Sequence, residues 1–127
     1  MRGHRRFLSV CIGGLVVLAS FVVWIESTTL DGLQGLFALV WRENTKYSVG
    51  YTDAGFSDVH VGQTKDQVRK ALGDPIEIRT DPYATRGVAK ECWAFTTSPG
   101  NTNYRLRLVC FDDADRVLWT EASFWAD

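Results

Sequence analysis

The sequence has no excess of charge of either sign. Its 127 residues include 14 Lys and Arg against 15 Asp and Glu, which gives a formal net charge of −1. Proteins that bind nucleic acid rely on concentrated positive charge, so a nucleic-acid partner is not expected. Apolar residues make up 46% of the chain and charged residues 23%. These globular fractions exclude general disorder, collagen-like repeats and a multi-pass membrane protein.

Cysteines are also few. The three in the chain, Cys11, Cys92 and Cys110, cannot form a disulfide scaffold and lack the Cys-x-x-Cys spacing of zinc sites. The glycines form no phosphate-binding loop. The acidic turn at 112–115 lacks the glycine and the distal glutamate of an EF-hand. We therefore expect no cofactor and no metal site.

One long apolar run is present. Residues 7–25, FLSVCIGGLVVLASFVVWI, carry no charge, and at about 1.5 Å per helical residue they span roughly 28 Å of hydrocarbon. The basic tail 1–6 before the run predicts a cytoplasmic N-terminus in the inner membrane and a C-terminal domain in the bacterial periplasm. We expect a retained single-pass anchor.

Two other interpretations of this run remain open. In the first, the run is a secretory signal that is cleaved after small residues such as Ala19 and Ser20, which releases the domain into the periplasm. However, the apolar residues continue past such a cut to Ile25. The second is lipoprotein processing at Cys11, which the bulky Val10 disfavours.

The segment 26–46 is an amphipathic linker. Its apolar residues recur at steps of three and four, the period of one helical face, but the stretch is too short to span a membrane. We expect residues 28–42 either to lie in the outer interface of the membrane or to pack on the domain or a partner. The apolar set consists of Leu30, Leu33, Leu36, Phe37, Val40 and Trp41.

The clearest local signal is HVGQTKDQVRKALGDP, residues 60–75. Thr64 and Gln67 have the spacing of a capping box, which satisfies free amide groups at a helix start. Gly62 permits the tight turn before them. The pattern predicts a helix over 65–72.

The same segment also predicts how that helix packs and ends. Val68, Ala71 and Leu72 share its apolar side. Gly73 provides a left-handed stop, and Pro75 prevents continuation. A first short helix is expected upstream, over 53–59.

After this helix the pattern alternates between apolar and polar residues. Strands are expected at 76–79, 90–97, 104–111 and 116–124, with a polar loop at 80–89 and turn-forming residues between the later strands. The expected fold of the domain, 47–127, is α+β. Two short helices pack on one face of a three- to four-stranded antiparallel meander sheet.

The register of the first hairpin follows from centring it on Asn101. Cys92 then faces Cys110, within reach of a disulfide in an oxidising compartment. Centring the next turn between Asp113 and Ala114 completes one apolar face, which we expect to carry the helices. That face consists of Cys92, Ala94, Leu106, Leu108, Cys110, Val117 and Trp119.

The opposite face of the sheet mixes aromatic residues with arginines, a composition typical of interface cores. We expect it to be an open partner-binding face, unless the 80–89 loop or the C-terminal Phe124 and Trp125 fold over it. The candidate residues are Trp93, Phe95, Arg105, Arg107, Phe111 and Leu118.

The assembled pattern resembles the SmpA/OmlA family of BamE-like small envelope proteins over nearly all of residues 47–127. The segments that carry it are Tyr47-Ser48-Val49-Gly50-Tyr51, Val61-Gly62-Gln63-Thr64, Leu72-Gly73-Asp74-Pro75, Trp93-Ala94-Phe95 and Leu108-Val109-Cys110-Phe111-Asp112.

The resemblance implies two helices on an antiparallel sheet, similar in shape to β-lactamase-inhibitor-like domains. The best-known member of the family is a non-enzymatic lipoprotein that assists the machine inserting β-barrel proteins into the outer membrane. Asp115 stands where the last hairpin of the family usually has Gly, so a left-handed Asp is expected.

These features favour a non-catalytic, membrane-anchored envelope protein that binds another envelope protein. A lipid- or envelope-surface sensor that uses residues 28–42 is the alternative. A hydrolase would need a free Cys92 thiol close to His60, the one histidine of the domain. The sequence alone gives no sign of that proximity.

Overall fold

The structure is a computed structural model that describes residues 2–100 and 102–125. Asn101, the expected centre of the first hairpin, lies outside the described residues. The side chains of residues 2–9 and 39 are also not described. The described chain is α+β: an N-terminal helical arm leads into short helices and antiparallel strands.

The N-terminal helix α1 (Arg2–Thr28) is continuous through the apolar run. Its stretch Val10–Thr28 has a mean hydropathy of 2.1, so it is long and apolar enough to span a membrane or to act as a signal sequence.

A 3₁₀ helix (Gly32–Leu36) and the short helix α2 (Phe37–Val40) follow. Gly32 has φ +55°, and a Cβ there would collide with the Glu26 carboxylate. The turn at Gly32 therefore separates the rest of the linker from α1. The apolar residues that were expected on one helical face of the linker are divided between the 3₁₀ helix and α2.

Helices α3 (Asp53–Ser57) and α4 (Lys65–Leu72) come next. The predicted bounds of α4 and its capping box between Thr64 and Gln67 are confirmed. Gly73 ends α4 with φ +78°, and its missing side chain leaves room for the Val49 carbonyl oxygen. Ala71 is exposed rather than buried. A further helix, α5 (Pro82–Thr85), occupies the segment expected to be a loop.

The main sheet has four antiparallel strands, which are β2 (Glu77–Arg79), β3 (Glu91–Ala94), β5 (Tyr104–Phe111) and β6 (Val117–Trp125). They lie side by side in that order. A separate pair joins β1 (Lys46–Tyr47) to β4 (Thr96–Thr97). The strand expected over 90–97 is therefore interrupted at Phe95, whose carbonyl accepts the Ser48 amide at 2.9 Å.

The register of the first hairpin is confirmed. Cys92 lies opposite Cys110, and the two form a disulfide that closes a separation of 18 residues.

The register of the second hairpin differs from the prediction. The turn is centred on Ala114, so Phe111 pairs with Val117. A bulge then adds one residue on β6, so Cys110 pairs with Trp119. The left-handed Asp expected at the turn is present, since Asp115 has φ +57°. The shifted turn places Val117 on the face opposite Cys110, and the bulge returns Trp119 to the predicted face beside Cys110.

The larger core lies on the face that we expected to be open. Helices α3 and α4 contribute Phe56, Val68 and Leu72, which pack with Trp93 and Phe111. The face with the disulfide is instead covered by Ala84 of α5. The physical reason is side-chain size: large rings bury more apolar area than Cys and Ala, so the helices cover the aromatic side.

Candidate functional site

The proposed partner-binding face is mostly buried inside the protein. Trp93, Phe95 and Phe111 are at most 2% exposed, and the side chain of Arg107 is 1% exposed. The prediction of an open surface is wrong for these four residues, because α3 and α4 lie over them. Arg105 and Leu118 are half-buried. These aromatic side chains serve as core.

The two arginines of this face bind an acidic residue of the same chain. Asp31, in the turn after α1, accepts hydrogen bonds from Arg107 Nη1 at 2.6 Å and Nη2 at 3.0 Å. It also accepts one from Arg105 Nη1 at 2.5 Å. The side chain of Asp31 is 0% exposed. We name this ion-paired cluster of Asp31, Arg105 and Arg107 the Asp31 clamp.

Further contacts complete the surroundings of the clamp. Arg107 Nε donates to Tyr51 Oη at 3.1 Å, and its Nη1 also donates to the Leu106 carbonyl. Burial would lower the pKa of Arg107, but hydrogen bonds and charge from Asp31 outweigh it and raise that pKa. Burial and a hydrogen bond to Asp53 raise the pKa of Tyr51. Arg107 therefore keeps its charge, and the clamp acts as a structural tie.

The segment after α2 is also fastened to the sheet. Glu43 Oε1 accepts from Arg105 Nε at 2.9 Å, and the Asn44 amide donates to the Asn103 carbonyl at 2.9 Å. The C-terminal part of the amphipathic linker 26–46 therefore lies against β5 and the residue before it.

No pattern in the sequence predicts the Asp31 clamp. Asp31 is 74 residues from Arg105 and 76 from Arg107 along the chain, so no local pattern joins them. One signal was available, because Arg105 and Arg107 lie on the same face of the sheet as the aromatic residues. If that face is buried, each arginine needs an acidic residue near it.

A second ionic cluster ties α4 to the sheet. Lys65 Nζ lies 2.9 Å from Glu91 and 2.6 Å from Asp115. Trp93 Nε1 also donates to Glu91, at 2.7 Å. Burial would raise the pKa of Glu91, but the hydrogen bonds from Lys65 and Trp93 prevail and lower it.

A groove lies over the face that carries the disulfide. Its volume is about 390 Å³, with Leu106 and Leu108 at its base and Tyr83 and Trp125 among its walls. The ring of Tyr83 meets that of Trp125 edge to face, with centroids 5.8 Å apart. Two arginines also line the groove, but each is paired with a carboxylate of this chain.

The residues considered for hydrolysis do not offer a nucleophile in this structure. Cys92 is bonded to Cys110, whereas a nucleophilic cysteine needs a free thiolate. Among residues 2–100 and 102–125, no group of three or more His, Cys, Asp or Glu side chains is placed to hold a metal ion.

Together these features define an α+β protein in which one apolar N-terminal helix is tied by a buried ion pair to an antiparallel sheet. Comparisons with protein-family models, with curated proteins and with solved structures find no match.

Proposed function

We propose that the chain is a non-catalytic, membrane-anchored cell-envelope protein whose domain binds another envelope protein as an accessory module. In this proposal α1 spans the bacterial inner membrane once, with its N-terminus in the cytoplasm and the domain in the periplasm. The observation that carries the proposal is the Asp31 clamp, which joins an apolar helix directly to a folded domain.

The clamp supports a role at the membrane surface. Asp31 follows the end of α1 by three residues, and its carboxylate is fully enclosed by the domain. A module on a flexible linker would sample a wide volume. This domain is instead held next to the exit of the helix, which suits a partner that also lies at or in the membrane.

The partner surface must differ from the buried aromatic face. An exposed apolar cluster is present on the domain, where Val49 is 94% exposed and Tyr47, Ile76 and Ile78 are also exposed. Tyr47, Val49 and Ile76 line one shallow depression of about 470 Å³. Exposed apolar groups that cluster in this way favour contact with a protein.

Two further features support the periplasmic location of the domain and its proposed relationship to the SmpA/OmlA family. Disulfides such as Cys92–Cys110 persist in oxidising compartments, which include the periplasm. The capping box and the Gly73 stop that support the resemblance to the SmpA/OmlA family form as expected. The proposed role is therefore related to that of outer-membrane assembly accessories.

Site-specific photo-crosslinking in bacterial cells tests the proposed surface. A photo-reactive residue at Val49 or Ile76 should give an adduct of defined mass, whereas one at Val88, which is also exposed, should not. The absence of adducts from both apolar positions would contradict partner binding at this surface.

Topology is tested separately. A Val88→Cys variant should be labelled by a membrane-impermeant maleimide in intact spheroplasts, and the protein should stay in the membrane fraction with its full-length mass. A mass lacking about the first twenty residues would instead show a cleaved signal.

A further inference from the structure

The segment that follows α1 has an exposed apolar side. Five of its large apolar residues are between 39% and 78% exposed, and all five lie within a short stretch fastened to the domain. We name this set the juxtamembrane patch. Its members are Leu33, Leu36, Phe37, Val40 and Trp41.

Local hydrogen bonds hold the start of the juxtamembrane patch beside the C-terminal turn of α1. The Leu33 amide donates to the Glu26 carboxylate at 3.1 Å, and the Gly32 amide donates to the Thr29 carbonyl. The 3₁₀ helix is therefore folded back beside the last turn of α1. Any membrane that α1 spans must place Leu33 close to the surface where α1 leaves the bilayer.

The patch is held in one orientation. The Asp31 clamp fixes the chain just before it, and the contacts of Glu43 and Asn44 with β5 and its preceding loop fix the chain just after it. Within the patch, the rings of Phe37 and Trp41 stack with centroids 5.0 Å apart. The exposed apolar side is thus part of a fixed surface at the helix exit.

We propose that the juxtamembrane patch inserts into the interfacial layer of the phospholipid bilayer, on the side from which the domain emerges. This inference rests on the proposed anchoring by α1. Amphipathic segments with aromatic and aliphatic residues on one side bury that side at the boundary between headgroups and acyl chains. Trp41 and the adjacent Arg42 suit this layer, in which aromatic and cationic side chains are stabilised.

Lipid is the favoured occupant because the bilayer is already at the level of the patch. A protein partner would have to displace the lipid that surrounds α1 where the helix leaves the bilayer. The consequence is a second membrane contact beside the helix, which fixes how the domain faces the membrane.

The test uses the full-length protein with Cys11→Ser, reconstituted in phosphatidylcholine vesicles with the Cys92–Cys110 disulfide intact. An environment-sensitive dye is attached at Val40→Cys. Val17→Cys in α1 is the lipid-embedded reference and Val61→Cys on the domain is the aqueous one. All three valines are similarly exposed, at 78%, 70% and 73%.

We expect acyl-chain-brominated lipids to quench the dye at positions 40 and 17 but not at 61, and aqueous iodide to quench only the dye at 61. If position 40 behaves like 61 while position 17 is quenched by brominated lipid, α1 spans the membrane and the inference about the patch is wrong. If position 17 is also insensitive to brominated lipid, the proposed anchor and the patch both fail.

Discussion

The Asp31→Asn substitution tests the central contact of the structure. Asparagine has nearly the same size and shape as aspartate but carries no charge, and its amide nitrogen donates hydrogen bonds instead of accepting them. Arg107 would keep its charge in a site where its side chain is 1% exposed. The substitution therefore removes the close counter-ion of a buried guanidinium and leaves it the more distant carboxylate of Asp53, 3.8 Å from Arg107 Nε.

The expected cost follows from that burial. Removal of one partner from a buried ion pair costs about 3–5 kcal/mol. Arg107 keeps its hydrogen bonds to Tyr51 Oη and the Leu106 carbonyl, so we expect the lower end, about 3 kcal/mol. Because small domains are stable by only about 5–15 kcal/mol, such a loss is readily measured.

The assay is urea unfolding of the full-length protein in detergent micelles, followed by tryptophan fluorescence. The matched control is Asp74→Asn, which breaks an ion pair of 2.7 Å to Arg69 between side chains that are 49% and 80% exposed. The control should cost no more than about 1 kcal/mol. If Asp31→Asn costs no more than the control, the clamp does not stabilise the fold as argued.

A double substitution distinguishes the contribution of charge from that of packing to the stability that Asp31 and Arg107 provide. Replacing both partners of a buried ion pair with apolar residues of similar volume is often neutral. Asp31→Leu with Arg107→Met should therefore be more stable than Asp31→Asn alone. An additive loss from the two changes would instead assign the stability to hydrogen bonds that the apolar pair cannot replace.

Three further predictions concern the domain itself. Loss of the Cys92–Cys110 disulfide by double Ala substitution should lower the free energy of unfolding by about 2–4 kcal/mol, and urea midpoints equal to those of the parent would contradict this. Both Gly73 and Gly62 have positive φ, but only at Gly73 would a Cβ collide with backbone, so thermal unfolding should show Gly73→Ala to be the more harmful change. Because the folded-state pKa of Glu91 is lowered, its carboxylate stabilises the fold above its ordinary pKa of 4.5, and this stability is lost as the pH falls through the folded-state pKa. Glu91→Gln should therefore flatten the acid side of the stability profile, and an unchanged slope would count against the ion pair.

Local signals predicted the elements that depend on neighbouring residues. The capping box at Thr64 and the stop at Gly73 act within one or two helical turns, so the bounds of α4 were predicted correctly. The opposition of Cys92 and Cys110 followed from one hairpin and its alternation. The left-handed Asp115 followed from a single turn.

The faces of the sheet were not predictable in the same way. Both faces of β3 and β5 carry apolar side chains, so alternation alone does not show which face the helices cover. The second turn is centred on Ala114, which placed Val117 on the opposite face from that expected. A shift of one residue reverses the side on which a residue lies, and the bulge on β6 reversed it again before Trp119, so Val117 left the expected face while Trp119 stayed on it.

By itself, the sequence determined the apolar N-terminal helix, the start and end of α4 and the disulfide pairing, because periodicity, capping and hairpin register act over short distances. Only the tertiary structure decided that α3 and α4 cover the aromatic face and that Asp31 pairs with both Arg105 and Arg107. The contacts of Asp31 with the two arginines join residues more than 70 positions apart. The partner of a buried charge is set by tertiary proximity, because the charge pairs with an opposite charge that folding brings within hydrogen-bonding distance.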